Sequence, residues 1–306
     1  MPISSSITLL NQRSLLSSAN SLVALLVIAS LSLAAAMPAV PSFNLSSSTA
    51  EPSSGWFRAG ATWYGPPNGS GSDVFINKDD DCISSRVCFS QGGACGYGGD
   101  VGKPPFSSMV SAGGPSLFDS GKGCGACYEV KCTTNAACSG KQVRVVITDN
   151  CPGGPCVEGP AHFDLSGTAF GAMAKAKQGD QLRNVGVLQI FYRKVECHYP
   201  GDKVTFKVDP GSNPYYLAIL IEYLEGEANI NFVEVSDSGS RSGSWLLMQR
   251  SWGTIWQVNA GSPLQGPVSI RITVGDQLKR VLVAKNALPK DWQPGGLYKS
   301  SVTYQL

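Results

Sequence analysis

The chain has 306 residues and a formal net charge of +2, from 24 Lys and Arg against 22 Asp and Glu; with no Lys/Arg run, it lacks the electrostatic footprint of a nucleic-acid binder. Its 35 glycines and 19 prolines call for many turns and so for a mostly β protein. The length exceeds the about 100 to 200 residues usual for one domain and implies two cores.

In chain order, Arg13 is followed by SLVALLVIASLSLAAAMPA, a weakly basic lead, a short apolar run and small residues between Ala34 and Ala39. This pattern reads as a signal peptide over residues 1–36, cut near Ala36 or Ala39. A membrane anchor fits less well, because Ser30 and Ser32 interrupt the run and leave it short of the roughly 20 residues a spanning helix needs. No later segment is apolar enough to span a bilayer, so a secreted, extracellular protein is expected. Residues 37–54 include the Ser/Pro-rich PSFNLSSSTAEPSS and read as a flexible leader. Asn44-Leu-Ser and Asn68-Gly-Ser match the glycosylation acceptor pattern.

Residues 55–200 form the first expected domain. All ten cysteines lie here, from Cys82 to Cys197, an even number that in an exported chain predicts disulfides. Zinc at Cys124-Gly-Ala-Cys127 is the weaker reading, since no second pair at zinc-finger spacing follows. No metal and no cofactor is expected. Alternation predicts strands over 143–149 and 187–196, and Ser166 is a good N-cap for a helix running through TAFGAMAKA. After Tyr199-Pro200-Gly201 the cysteines stop. Short alternating runs then recur over residues 201–306 (KVTFKV, YYLAILIEYLEG, INFVEVSD, SWLLMQRSW, TIWQVNA, VSIRITVGD, KRVLVAKNAL), which predicts a β-sandwich of seven or eight strands.

The stretch AHFDLSG, residues 161–167, holds one of only two histidines beside an aromatic ring and a carboxylate. Hydrolysis of a glycosidic bond usually takes two carboxylates about 5 to 9.5 Å apart. Asp164 is one candidate, with a pKa that apolar neighbours would raise; Asp149, at the end of VRVVITD, is the nearest partner. The bland reading of each is a turn or cap aspartate bound to backbone, and for an isolated motif that reading is the better one.

The motifs ATWYG (61–65), GGACGYG (92–98), GKGCGACYEVKC (121–132), VITDNCPGGPC (147–156) and AHFDLSG, then VECHYPG, NPYYLAILIEY and SWGTIW, follow one another in the order found in plant β-expansins. The resemblance covers nearly all of residues 55–306. It implies a six-stranded double-psi β-barrel related to family 45 glycoside hydrolases, joined to an immunoglobulin-like carbohydrate-binding sandwich, in a monomeric, non-hydrolytic wall-loosening protein whose partners are cellulose and arabinoxylan.

By that resemblance Thr62, Tyr64, Asp149, His162 and Asp164 line a groove, with Asp73 the best match to a further family aspartate and Asp81 or Ser90 the alternatives for its place; Trp63, Tyr216 and Trp252 form an aromatic strip, with Trp245 a weaker candidate. Related hydrolases place a base aspartate directly after the segment matching TWYG, whereas here Gly65, Pro66 and Pro67 follow. The family also implies disulfides Cys95–Cys124, Cys127–Cys197, Cys132–Cys138 and Cys151–Cys156. Spacing alone selects none of these pairings. An insertion, DVFINKDDDCISSRVCFSQ, departs from many β-expansins; its Cys82 and Cys88 are expected to pair locally, and its Asp79, Asp80 and Asp81 to be a solvated loop. Two other readings remain: a hydrolase or lytic transglycosylase using Asp164 with Asp149 or a loop carboxylate, and a purely carbohydrate-binding, defence-type protein.

Overall fold

The computed structural model describes residues 55–71, 93–239, 244–275 and 280–305. Asn44, Asp73, Asp79, Asp80, Asp81, Cys82, Cys88 and Ser90, together with the expected signal peptide and leader, lie outside the described residues. No described helix is long and apolar enough to cross a membrane.

Six strands close a barrel: β1 (Phe57–Tyr64), β2 (Val110–Gly113), β3 (Cys127–Lys131), β4 (Val143–Asn150), β5 (His162–Ser166) and β6 (Leu188–Val195), in the order β1-β5-β2-β4-β3-β6. Alternation decides what each strand turns inward. Ala59, Ala61, Val145, Ile147, Phe163, Leu165 and Ile190 fill the interior, and the rings of Tyr128, Phe163 and Tyr192 meet there with centroids 5.2 to 6.1 Å apart. The intervening residues of β1 and β5 therefore face outward. Among the described residues four disulfides, Cys95–Cys124, Cys127–Cys197, Cys132–Cys138 and Cys151–Cys156, brace this domain.

The helix predicted after Ser166 is shorter than its sequence implies, Gly167–Ala172. Ser166 does cap it, its hydroxyl accepting from the Ala169 N–H at 3.0 Å. Beyond Met173 the backbone pairs with residues 137–139 instead: Lys175 N–H donates to Ala137 O at 2.8 Å and Ser139 N–H to Met173 O at 2.9 Å. Those bonds replace the next helical turn.

Among the described residues the sandwich has two five-stranded sheets, ten strands where seven or eight are expected. One runs β10 (Leu246–Leu247), β9 (Ile230–Asp237), β13 (Val268–Val274), β14 (Arg280–Leu288), β16 (Thr303–Gln305); the other runs β11 (Gln249–Trp252), β12 (Ile255–Asn259), β8 (Tyr216–Glu222), β7 (Val204–Val208), β15 (Leu297–Ser300). Between them lies a core that includes Phe206, Leu217, Ile219, Val233, Ile270 and Trp256. The single run SWLLMQRSW supplies an edge strand to each sheet, switching at Met248.

The outer face of the β8–β12 sheet divides in two. Leu220 and Ile255 pack under the barrel with Cys95, Tyr97, Phe106 and Tyr199 in one apolar cluster. Tyr216 and Trp252 belong to the same face but lie outside that cluster. Cys197 joins barrel to sandwich twice, through its disulfide to Cys127 and through paired backbone hydrogen bonds with Gly226 at 2.8 and 2.9 Å.

Candidate functional site

Strand register assembles the groove. Thr62 on β1 pairs with Asp164 on β5, Asp164 pairs with Ala112 on β2, and Ala112 pairs with Asp149 on β4. One row across four strands thus carries Thr62, Asp164 and Asp149, and with a strand spacing of about 4.8 Å the two aspartate backbones are about 10 Å apart. The next outward pair along β1 and β5 is Gly60 with His162.

Thr62 organises the centre of this row. Its hydroxyl donates to Asp164 Oδ1 at 2.6 Å and meets His162 Nε2 at 2.9 Å. With Asp164 ionised, the single hydroxyl proton goes to the carboxylate and Nε2 is the donor in the second bond, which sets the imidazole tautomer in that state. Burial drives the His162 pKa down and keeps the ring neutral, against the opposing pull of Asp164 and Glu158. Burial raises the Asp164 pKa above the ordinary 3.8; the Thr62 bond and His162 lower it, and Asp149 raises it again. Asp164 thus stays protonated to higher pH than a free aspartate does.

Asp149 is differently placed. Its Oδ1 accepts the backbone N–H groups of Ala94 at 2.6 Å and Asn150 at 2.7 Å, which ties the Gly93–Cys95 loop over the end of β4. Beside Asp164 lies the Cys151–Cys156 bridge, with both sulfurs and a carboxylate oxygen within 4.8 Å of one another. The sulfurs are bonded to each other, so this group offers a metal no thiolates. The ring of Tyr64 lies over Gly71, where a Cβ would stand 2.3 Å from Tyr64 Cζ. Asn68 is exposed in the preceding turn.

The aromatic candidates occupy different surroundings. Trp252 is 37% exposed, and its cross-strand partner Ile255 and the Gln257–Ala218 and Asn259–Tyr216 pairs place it on the same sheet face as Tyr216. Four residues of β12 separate those partners, about 13 Å along the strand. Tyr216 is half-buried and donates its hydroxyl to Gln257 Oε1 at 2.8 Å. Trp63 packs partly on the barrel core, with its indole N–H on Arg183 O at 3.1 Å. Trp245 is half-buried with the Arg271 guanidinium 4.5 Å from its ring centre. Trp256 is core.

Sequence reasoning passed over the residues that join platform to groove. The turn between β11 and β12 seats Gly253 against Cys95, whose carbonyl accepts from Thr254 N–H at 3.1 Å and Thr254 hydroxyl at 3.2 Å. Arg250, its guanidinium 4.4 Å from the Trp256 ring centre, donates to Gly121 O at 3.4 Å, to Gly253 O at 2.5 Å and to Ile230 O. From Asp149 the path runs through Ala94 and Cys95 to Gly253 and Trp252. No local motif signals this seam, because its partners are more than 100 residues apart.

Fold and site together define a class: a closed six-stranded β-barrel with a carboxyl-bearing outer row, followed by a β-sandwich of two five-stranded sheets. Residues 204–289 match the family model described as expansin C-terminal domain, and residues 110–192 the one described as lytic transglycolase. The chain is 53% identical to a protein named putative expansin-B2 from Arabidopsis thaliana, over 86% of this chain and 88% of that one. It is 50% identical to expansin-B11 of Oryza sativa subsp. japonica, over 82% and 78%. Among solved structures, an apo expansin of Clavibacter michiganensis shares the fold with TM-score 0.54 at 23% identity, covering 80% of this chain and 95% of that one. The chain belongs to the expansin family.

Proposed function

We propose that this protein is secreted to the plant cell wall and loosens it by gripping polysaccharide, cellulose and xylan, without cutting it. The barrel row and the aromatic face of the sandwich hold one glycan strand in a conformation that competes with its lateral contacts to neighbours. Such binding shifts the wall only by its differential affinity for the separated and the associated chains. A Clavibacter michiganensis expansin variant, 23% identical and with TM-score 0.52, has been solved in complex with cellohexaose, which supports a glucan-binding role here.

The observation that carries the non-hydrolytic reading is the inequality of the two aspartates. Asp164 is a partly buried carboxyl with a raised pKa, suited to donate to or accept from sugar hydroxyls. Asp149, the only other carboxylate in that row among the described residues, commits Oδ1 to two backbone N–H groups, and by the family resemblance Gly65, Pro66 and Pro67 stand where related hydrolases carry their base. Replacing Asp164 with Asn is expected to abolish extension of heat-inactivated walls while leaving thermal unfolding nearly unchanged. Extension at the wild-type rate would contradict this role.

One observation favours a second reading, cleavage with Asp149 as base. The about 10 Å backbone spacing admits carboxyl groups within the about 6.5 to 9.5 Å range of inverting glycosidases. New reducing or anhydro ends on purified glycans would establish that reading.

A further inference from the structure

A cavity of about 300 Å³ opens beside His162, between β1, β5, β6 and the turn ahead of β5; Arg58, Gly60, Glu158, His162, Val187 and Gln189 are among its lining residues. That volume is at the lower end for small-molecule sites and suits one sugar ring. The cavity belongs to the same outer face as the groove, since Arg58, Gly60 and Thr62 are alternate residues of β1. It is offset from Asp164 by one residue pair along the strands, about 7 Å.

The direction of that offset matters. The row Thr62–Asp164–Ala112–Asp149 crosses the strands and continues through Ala94 and Cys95 to the Trp252 turn. A glycan backbone bridging groove and platform follows that row, across the strands. The cavity lies along the strands instead, to one side of the backbone path.

His162 connects the two. It is 4% exposed, and with Nε2 donating to Thr62 its Nδ1 is an unprotonated acceptor. Nδ1 points at the cavity floor where Gly60 lacks a side chain: a Cβ there would stand 2.5 Å from it. Among the described residues nothing donates to Nδ1, so a ligand hydroxyl can. Arg58 supplies donors, Glu158 acceptors, the Gln189 amide both, and Val187 an apolar wall. One cation and one anion in the lining suit vicinal hydroxyls and leave no net charge to attract a carboxylate.

Resting on the glycan-binding reading above, we infer that this cavity is a branch subsite: it receives a neutral single-sugar substituent carried by the glycan whose backbone lies in the Asp164 row. The protein would then hold a substituted chain better than a bare one.

Calorimetric titration of the full chain tests this, with unbranched xylotetraose, xylotetraose carrying one arabinose branch, and xylotetraose carrying one glucuronate branch. The wild type should bind the arabinose-branched probe about 10-fold more tightly than the unbranched one. Exposed Arg58→Met and Glu158→Gln should each remove most of that gain and leave the unbranched affinity unchanged, whereas Asp164→Asn should weaken all three probes. Equal affinity for branched and unbranched probes, or a gain that survives both cavity variants, would overturn the subsite. A gain as large with the glucuronate branch would overturn its neutral character. Failure of the wild type to bind any probe would instead overturn the glycan-binding reading on which it rests.

Discussion

Replacing Glu222 with Gln should raise the melting temperature at pH 7.5 and leave it nearly unchanged at pH 4. Glu222 is the last residue of β8, 1% exposed, on the sheet face turned to the barrel, and its Oε1 has no hydrogen-bond partner among the described residues. Around it stand Asp100 on the barrel, Lys103, Lys207, Lys299 and the hydroxyls of Tyr97 and Tyr223. Asp100 takes ion pairs from Lys103 at 3.0 Å and Lys207 at 3.4 Å. Burial, reinforced by Asp100, pushes the Glu222 pKa up to about 7, with the three lysines opposing.

A folded-state pKa above the unfolded 4.5 means that the native protein binds the extra proton. The stability this contributes is complete below pH 4.5 and is lost as pH rises through about 7. The shift corresponds to about 3 kcal/mol. Glutamine keeps the shape without the charge, so the variant's stability should stay flat where the wild type's falls. Parallel decline of both proteins between pH 5 and 7.5 would show that this carboxyl does not titrate in the interface. The seam between barrel and sandwich is by this account firmest in acid, the condition that also protonates Asp164.

Gly253→Ala should cost about 2 to 4 kcal/mol and weaken binding to cellulose while the barrel row stays intact. Gly253 has φ of +52°, and a Cβ there would stand 2.5 to 2.6 Å from the backbone atoms of Cys95, which cannot swing aside. Gly121 faces it from the barrel, where a Cβ would come 3.2 Å from Gly253 N. The substitution must therefore lift the turn, break the Thr254 bonds to Cys95 and displace Trp252. Gly261, at φ +71° with open space around it, is the control: Gly261→Ala carries the backbone cost alone, about 1 kcal/mol. Denaturant unfolding and cellulose pull-down of both variants check this, and equal losses would show that the seam is not a tight joint.

Two of the six barrel strands were legible from their residues, and the barrel itself only through the family resemblance. VRVVITD and VLQIFYRKVE became β4 and β6 almost residue for residue, and Ser166 caps its helix. In the sandwich the C-terminal strands β15 and β16 escaped, since Leu297–Ser300 and Thr303–Gln305 are only four and three residues long. The split of SWLLMQRSW was equally hidden: Met248 donates its N–H to Val233 O while Gln249 already pairs with Gln257 of the other sheet, a change no local pattern encodes.

The centre of the site was legible through the HFD motif, yet its mechanics were not. That Thr62 holds both His162 and Asp164 depends on the parallel register of β1 and β5, set by residues 100 apart. Arg58 and Gly60 had a signal that periodicity exposes, being four and two residues before Thr62 on the same face. Glu222 and Arg250 had none, because what makes them matter is the barrel packed over the sheet.

On the proposed reading, Asp164 grips a sugar polymer that it cannot break, because Asp149 does not serve it as a base. Its most direct test measures creep and new chain ends together, on one sample of heat-inactivated walls, with wild type and Asp149→Asn. The account predicts extension by the wild type with no new reducing or anhydro ends. Chain scission that accompanies wild-type creep and disappears with Asp149→Asn would contradict it.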